Sequence, residues 1–166
     1  KSGADIVKFQ YFKADELVTK GASSATYQEN NTGIKFQSEL LKELEISFSS
    51  LSKLKDYCDS ISIEFLCTSF SIKGLKQLCN LGMKKIKIPS GEINNKSLLL
   101  EAAKLKKEIY LSTGMSNLAE VKQAINILAG YEVSDITLMH CTSLYPAPYS
   151  SLNINALRVL KNNFKH

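Results

Sequence analysis

The chain has 166 residues, of which 44% are hydrophobic and 22% are charged, as in an ordinary globular domain with a buried core. The net charge of +5 comes from 21 basic and 16 acidic residues spread along the chain, without a basic and aromatic patch, so we expect no nucleic-acid partner. The four cysteines have no CxxC spacing, which argues against a zinc site and favours free thiols. No apolar run is long enough to cross a membrane, so we expect a cytoplasmic domain with no membrane partner.

Five segments are predicted to be β-strands, near 5–10, 62–68, 84–89, 108–113 and 135–141. Helical spacing predicts the elements between and after them, at 36–44, 48–60, 72–80, 96–105, 116–129 and 155–163. Ser47 and Ser116 are predicted as N-caps, and the polar stretch 13–35 as an exposed excursion with one short helix at 14–18. Because helical connections join successive strands as parallel units, the pattern predicts one five-stranded parallel α/β sheet.

The strand near 84–89 carries a lysine where a buried residue is expected. Side chains alternate along a strand, so Ile86 and Ile88 share one face and Lys87 lies on the other. Both faces of a parallel sheet are covered, and a covered lysine is costly unless an anion or a polar network meets it. Lys87 therefore predicts a negatively charged partner, and Lys8 repeats the pattern on the first strand.

Polar and small residues follow the C-terminal ends of the predicted strands, where α/β folds place their ligands. They include Thr68, Ser69, Ser90, Glu92, Asn94, Asn95, Ser112, Thr113, Gly114, Thr142 and Ser143. Glycine lets a backbone approach a ligand closely, which gives Gly114 a place in such a site. Ser69 and Ser71 have a second interpretation, as caps of the helix at 72–80.

Four segments occur in an order and at spacings that point to a known family. They are VKFQ at 7–10, KIPSGEINN at 87–95, LSTGM at 111–115 and HCTSLYPAPY at 140–149. Together they resemble the sialic acid synthase family, the N-acetylneuraminate synthases and their legionaminate and pseudaminate synthase relatives. The resemblance covers nearly the whole chain.

The resemblance implies a TIM barrel followed by a small antifreeze-like domain. Residues 1–166 would form a partial synthase domain with about strands two to six of eight, without the first strand, the last strands and the antifreeze-like domain. Family members condense phosphoenolpyruvate with an N-acetylated hexosamine, such as N-acetylmannosamine, to give a nonulosonic (sialic) acid and phosphate. Mn²⁺ or Mg²⁺ assists, and its ligands are expected outside this segment. The segment alone is expected to be inactive, and the full-length protein to be a homodimer.

The resemblance also implies roles for individual residues. Glu92 corresponds to a catalytic carboxylate that faces the sugar, and Tyr145 to an aromatic residue on the sugar side. Ser143 stands where some members carry an asparagine that helps to hold phosphate, which leaves that contact open. Asn94, Asn95 and Thr113 are expected to support the site. The positions that match phosphoenolpyruvate-binding residues are Lys8, Gln10, Thr68, Lys87, Ser90 and Ser112.

Two other readings of the residues bear on function. His140 has no partner at metal-ligand spacing and is predicted to be a hydrogen-bonded strand residue, and Cys141 has no base paired with it in sequence. The alternative to a synthase is a non-catalytic or truncated half-barrel that only binds an anionic metabolite.

Overall fold

Strands and helices alternate along the chain, as the apolar spacing predicts. The computed structural model describes residues 3–133 and 135–164. The strands are β1 (Ile6–Tyr11), β2 (Glu64–Ser69), β3 (Lys85–Ile88), β4 (Glu108–Ser112) and β5 (Ile136–Met139). The α-helices are α1 (Ala14–Leu17), α2 (Thr26–Thr32), α3 (Gln37–Glu43), α4 (Phe48–Ser60), α5 (Ile72–Asn80), α6 (Lys96–Lys104), α7 (Leu118–Ala129) and α8 (Asn155–Asn163). Short 3-10 turns occur at Ser90–Glu92 and Tyr149–Ser151.

The strands of the described residues form two sheets, not the single five-stranded sheet that was predicted. One sheet contains β1 and β2, and the other contains β3, β4 and β5 in that order, with parallel pairing throughout the second. Within β2, the backbone N–H of Cys67 donates to Met83 Sδ at 3.3 Å. The described residues do not form a closed barrel.

The chain divides into two compact units, Lys1–Phe65 and Leu66–His166. In the first unit, the rings of Phe9 and Phe65 stack with centroids 5.5 Å apart, and Leu51 of α4 is fully buried. Glu45 holds the start of α1, because its carboxylate accepts from Ala14 N and from Lys13 Nζ, both at 2.8 Å. The polar stretch 13–35 contains the predicted short helix, which is α1, and also a second helix, α2, which was not predicted from the sequence.

In the second unit, β4 lies between β3 and β5, and its apolar side chains are inaccessible to solvent. Ile109 and Leu111 of β4 are fully buried, as are Ile86 and Ile88 of β3. Apolar faces of the helices supply the rest of this core, through Leu75, Leu78, Leu98, Leu99, Ala102, Ala103, Val121, Ala124 and Leu128. Because these side chains are closely packed and shielded from water, the strands have little freedom to shift along the sheet, and their ends stay in place.

Helix starts in this unit follow the capping rules, with one correction. Ser71 accepts from Gly74 N at 3.1 Å, so its capping interpretation is confirmed. The N-cap of α7 is Asn117 and not Ser116 as predicted, and its side chain accepts from the N–H groups of Ala119 and Glu120. Asn117 has the extended backbone that a cap requires, with φ −88° and ψ 168°.

Strand β5 is also shorter than predicted, because its hydrogen-bonded ladder ends where Ser112 pairs with Met139. His140 and Cys141 therefore lie just beyond the strand and not within it.

The cap of α7 gives a test of this unit. Asn117→Ala removes an acceptor for two helical N–H groups and should lower the free energy of unfolding by about 1 kcal/mol. The exposed Asn126 in the same helix is the matched control, since Asn126→Ala should raise stability by a few tenths of a kcal/mol, roughly the difference in helix propensity. Urea denaturation followed by circular dichroism measures both, and equal effects of the two substitutions would contradict the cap.

Candidate functional site

Lys87 is buried on β3 and contacts the end of the next strand. Its side chain is 8% exposed, and its ammonium donates to Ser112 Oγ at 2.5 Å and to the carbonyl oxygen of Ile88 at 2.9 Å. Ser112 is the last residue of β4 and is 4% exposed. The prediction that Lys87 is covered is therefore confirmed, while its negatively charged partner stays a prediction. The two acceptors named here are neutral oxygens.

Ser90 and Ser143 meet at the segment that follows β4. Ser90 begins the 3-10 turn after β3, and its Oγ accepts from the backbone N–H of Gly114 at 3.0 Å. Ser143 Oγ lies against Gly114 from the segment after β5. Three successive parallel strands thus bring one hydroxyl each to the same end of their sheet. We call Lys87, Ser90, Ser112 and Ser143 the strand-end cluster.

The sulfur of Cys141 belongs to the immediate surroundings of this cluster. It lies 3.3 Å from Ser112 Oγ and 3.6 Å from the carbonyl oxygen of Met139. The sequence pointed to Cys141 only as an unpaired nucleophile, and its position beside Ser112 could not be read from spacing. His140 is hydrogen-bonded, as predicted, through Nε2 to the carbonyl oxygen of Leu152 at 2.8 Å. Thr113 Oγ1 donates to the carbonyl oxygen of Met139 at 3.1 Å, and so links the ends of β4 and β5.

Glu92 is half-buried at the end of its 3-10 turn and is oriented by a neighbour. Its Oε2 accepts from Asn95 Nδ2 at 2.6 Å, while Asn95 Oδ1 caps α6 through the N–H of Leu98 at 3.0 Å. Asn95 thus contacts Glu92, as a supporting residue would, and its role in the site stays a prediction. The side chain of Asn94 instead contacts α7, where its Nδ2 donates to Glu120 Oε1 at 3.2 Å.

The other predicted binding residues are not joined to the strand-end cluster by the contacts described above. Thr68 is 1% exposed near the end of β2. Tyr145 is 65% exposed on the segment after β5. Lys8 and Gln10 lie in the first unit on the same face of β1, where both are exposed, so the expectation that Lys8 is covered like Lys87 is wrong for the described residues. The roles assigned to these four residues stay predictions.

A cavity of about 520 Å³ adjoins the strand-end cluster within the second unit. Cys141, whose sulfur is close to Ser112 Oγ, forms part of its wall, together with residues of α7, α8 and the ends of β4 and β5. The other lining residues are Thr113, Met115, Ser116, Asn117, Leu118, Val121, His140, Asn153, Asn155, Ala156, Val159 and Leu160.

The described residues do not suit the divalent metal that the resemblance implies. Within 3–133 and 135–164, no three His, Cys, Asp or Glu side chains come together as a group that could hold a metal ion. The strand-end cluster itself offers neutral hydroxyls beside an ammonium, whose positive charge repels a cation. No chemical step at this cluster is assigned to a metal.

Among the described residues, no helix has the length and apolar character needed to span a membrane.

Parallel strands with a buried lysine and three serines at one end of the sheet define an α/β protein whose polar residues gather at the strand ends, where α/β folds place their ligands. Comparison with known proteins identifies the family. The chain belongs to the NeuB family, which matches it over residues 1–166.

Two relatives are similar over 99% of this chain. The N,N'-diacetyllegionaminic acid synthase of Legionella pneumophila is 44% identical over 170 residues, and that of Campylobacter jejuni is 42% identical over 167 residues. This chain covers 48% and 50% of their respective lengths, so it spans about half of each relative.

A solved structure is also similar to this chain in its fold. The crystal structure of N-acetylneuraminic acid synthetase from Leptospira borgpetersenii, in complex with citrate, superimposes with a TM-score of 0.84 at 27% identity. The match covers 97% of this chain and 52% of that one. The α/β fold with parallel strands is thus that of a sialic acid synthase domain, and the resemblance found in the sequence is confirmed.

Thiol labelling tests the geometry around Cys141. Burial raises the pKa of the Cys79 thiol, so less reactive thiolate is present at pH 7.5, while Cys58 and Cys67 are buried. A maleimide should therefore modify Cys141 first, Cys79 more slowly, and the two buried thiols at least about tenfold more slowly still, because they require local opening. Mass spectrometry of peptides against time measures the order. Cys141→Ser should remove the fastest phase, and early labelling of Cys67 would contradict the buried position of β2.

Proposed function

We propose that the full-length protein condenses phosphoenolpyruvate with an N-acetylated hexosamine to give a nonulosonic acid and phosphate. Membership of the NeuB family and the two relatives that are named as legionaminic acid synthases support this reaction class. The observation that carries the proposal is the buried Lys87 ammonium on Ser112 Oγ, with two more hydroxyls at the adjacent strand ends. The metal that family members use, Mn²⁺ or Mg²⁺, is proposed to bind through residues outside these 166.

The strand-end cluster is proposed to hold phosphoenolpyruvate. That substrate carries a phosphate and a carboxylate, whose oxygens accept hydrogen bonds and carry negative charge. A lysine supplies a point charge, and short serine side chains supply donors at fixed positions on strand ends. Because Lys87 and Ser112 are nearly inaccessible to solvent, their contacts with an anion are only weakly screened by water.

Glu92 is proposed to act on the sugar side of the site. Its carboxylate is held by Asn95, which itself is fixed as the cap of α6, so its orientation is set before any substrate arrives. A carboxylate in such a position can accept hydrogen bonds from sugar hydroxyls or move a proton during the condensation. Tyr145 is proposed to contact the sugar as well.

Removal of the Lys87 charge tests the anion site. Lys87→Met retains most of the packing of the aliphatic stem but deletes a charge-assisted contact worth about 1.5–3 kcal/mol. The affinity of the full-length protein for phosphoenolpyruvate should fall roughly tenfold to a hundredfold, with a smaller effect on the amino sugar.

Isothermal titration measures phosphoenolpyruvate binding, and steady-state kinetics measures the amino sugar. Lys84→Met is the matched control, because Lys84 is exposed beside the same strand and its loss should leave binding unchanged. A Lys87→Met protein that binds phosphoenolpyruvate like wild type would show that Lys87 serves only the fold.

Glu92→Gln should give the opposite result. The amide keeps the size of the side chain and can still pair with Asn95, but it carries no charge and cannot take up a proton. We expect near-normal phosphoenolpyruvate affinity, with turnover reduced by about a hundredfold or more, or with a raised KM for the amino sugar.

Phosphate release measures turnover, and Glu43→Gln on the exposed surface of α3 is the control. If wild-type protein binds phosphoenolpyruvate but releases no phosphate with any N-acetylated hexosamine, the non-catalytic alternative replaces the synthase.

A further inference from the structure

Gly114 lies two residues beyond β4, at the centre of the strand-end cluster. Its backbone N–H donates to Ser90 Oγ at 3.0 Å. A backbone N–H has no acceptor atom, so the direction of this bond is fixed and the Ser90 oxygen accepts. The proton of the Ser90 hydroxyl must therefore point away from Gly114. Gly114 thus occupies one of the two acceptor positions of the Ser90 oxygen and leaves the Ser90 proton available to a ligand.

The space beside Gly114 is filled by hydroxyl groups. A Cβ at this position would lie 2.7 Å from Ser143 Oγ, 2.8 Å from Ser90 Oγ and 3.1 Å from the carbonyl oxygen of Cys141. The φ angle of Gly114 lies outside the left-handed region, so its backbone conformation does not require glycine. What requires glycine is the room for two serine side chains.

Ser112 Oγ, like Ser90 Oγ, accepts a hydrogen bond from a group that can only donate. The ammonium of Lys87 can only donate, so the Ser112 oxygen accepts from it and the Ser112 proton points elsewhere. Two hydroxyls of the cluster therefore each accept one hydrogen bond from an obligate donor and keep a proton that they can donate. Such protons suit phosphate or carboxylate oxygens, which only accept.

We propose that Gly114 is a positioning residue for phosphoenolpyruvate: its N–H holds the Ser90 oxygen in place, and its missing side chain sets the spacing of Ser90 and Ser143. The inference rests on the proposed function, because it assigns these hydroxyls to the phosphoenolpyruvate oxygens. Gly114 itself does not touch the substrate. It acts through the two serines.

The substitution Gly114→Ala in the full-length protein tests this. The two shortest contacts of the new methyl group are with the ends of rotatable serine side chains, so the hydroxyls should swing away while the fold remains. The affinity for phosphoenolpyruvate should fall about tenfold or more, as for the loss of charge-assisted donors, and the KM for the amino sugar should stay within about twofold. Gly21→Ala is the matched control, because a Cβ at Gly21 meets nothing within 4 Å.

A double-mutant cycle separates positioning from general damage to the fold. If Gly114 acts through Ser90, the double variant Gly114→Ala, Ser90→Ala should lose less phosphoenolpyruvate affinity than the two single variants lose in total, because each substitution removes the same contact. Full additivity would overturn the inference. If Gly114→Ala does not fold, the triple variant that also carries Ser90→Ala and Ser143→Ala removes both close contacts and should fold. Failure of that variant to fold would also overturn it.

The same titrations distinguish this inference from the proposed function. Wild-type protein that does not bind phosphoenolpyruvate contradicts the proposed function, and with it the assignment of the serines. Wild-type protein that binds phosphoenolpyruvate, together with Gly114→Ala protein that binds it equally well, leaves the proposed function intact and overturns the role of Gly114 alone.

Discussion

The site depends on one charged group held inside the protein. An ammonium removed from water loses favourable solvation and must recover it from nearby oxygens. Lys87 finds two of these in the carbonyl group of its own strand neighbour Ile88 and in the hydroxyl of Ser112. The Ser112 hydroxyl reaches Lys87 only if β3 and β4 are paired in the observed register, in which Ile88 is opposite Leu111. The charge and the sheet register therefore support each other.

The rest of the second unit keeps those oxygens in place. The apolar residues of β3 and β4 are packed without access to solvent, so the strand ends have little freedom to move. Side-chain caps then fix where each following helix begins: Ser71 for α5, Asn95 for α6 and Asn117 for α7. Asn95 also binds Glu92, so one residue both starts a helix and orients the carboxylate proposed for catalysis. The contacts of Asn95 therefore serve both the stability of α6 and the proposed function of Glu92.

Local patterns made much of this predictable, and long-range contacts did not. Alternation along the strand placed Lys87 on a covered face, and a capping serine with helical spacing gave the bounds of α4 and α5. Ser116 and Asn117 are both good cap residues, and only the backbone angles of the folded chain decide between them. The division into two sheets and the packing of serines against Gly114 join residues far apart in sequence, which no local pattern encodes.

Glu120 links the opening of α7 to the loop that precedes α6. One of its carboxylate oxygens accepts from the N–H of Asn117 at 2.8 Å, and the other from Asn94 Nδ2 at 3.2 Å. This side chain therefore joins the first turn of α7 to the loop at Asn94, although 22 positions separate Asn95 from Asn117 in the sequence. Since Asn95 contacts Glu92, the proposed catalytic carboxylate lies next to a connection between two successive helices.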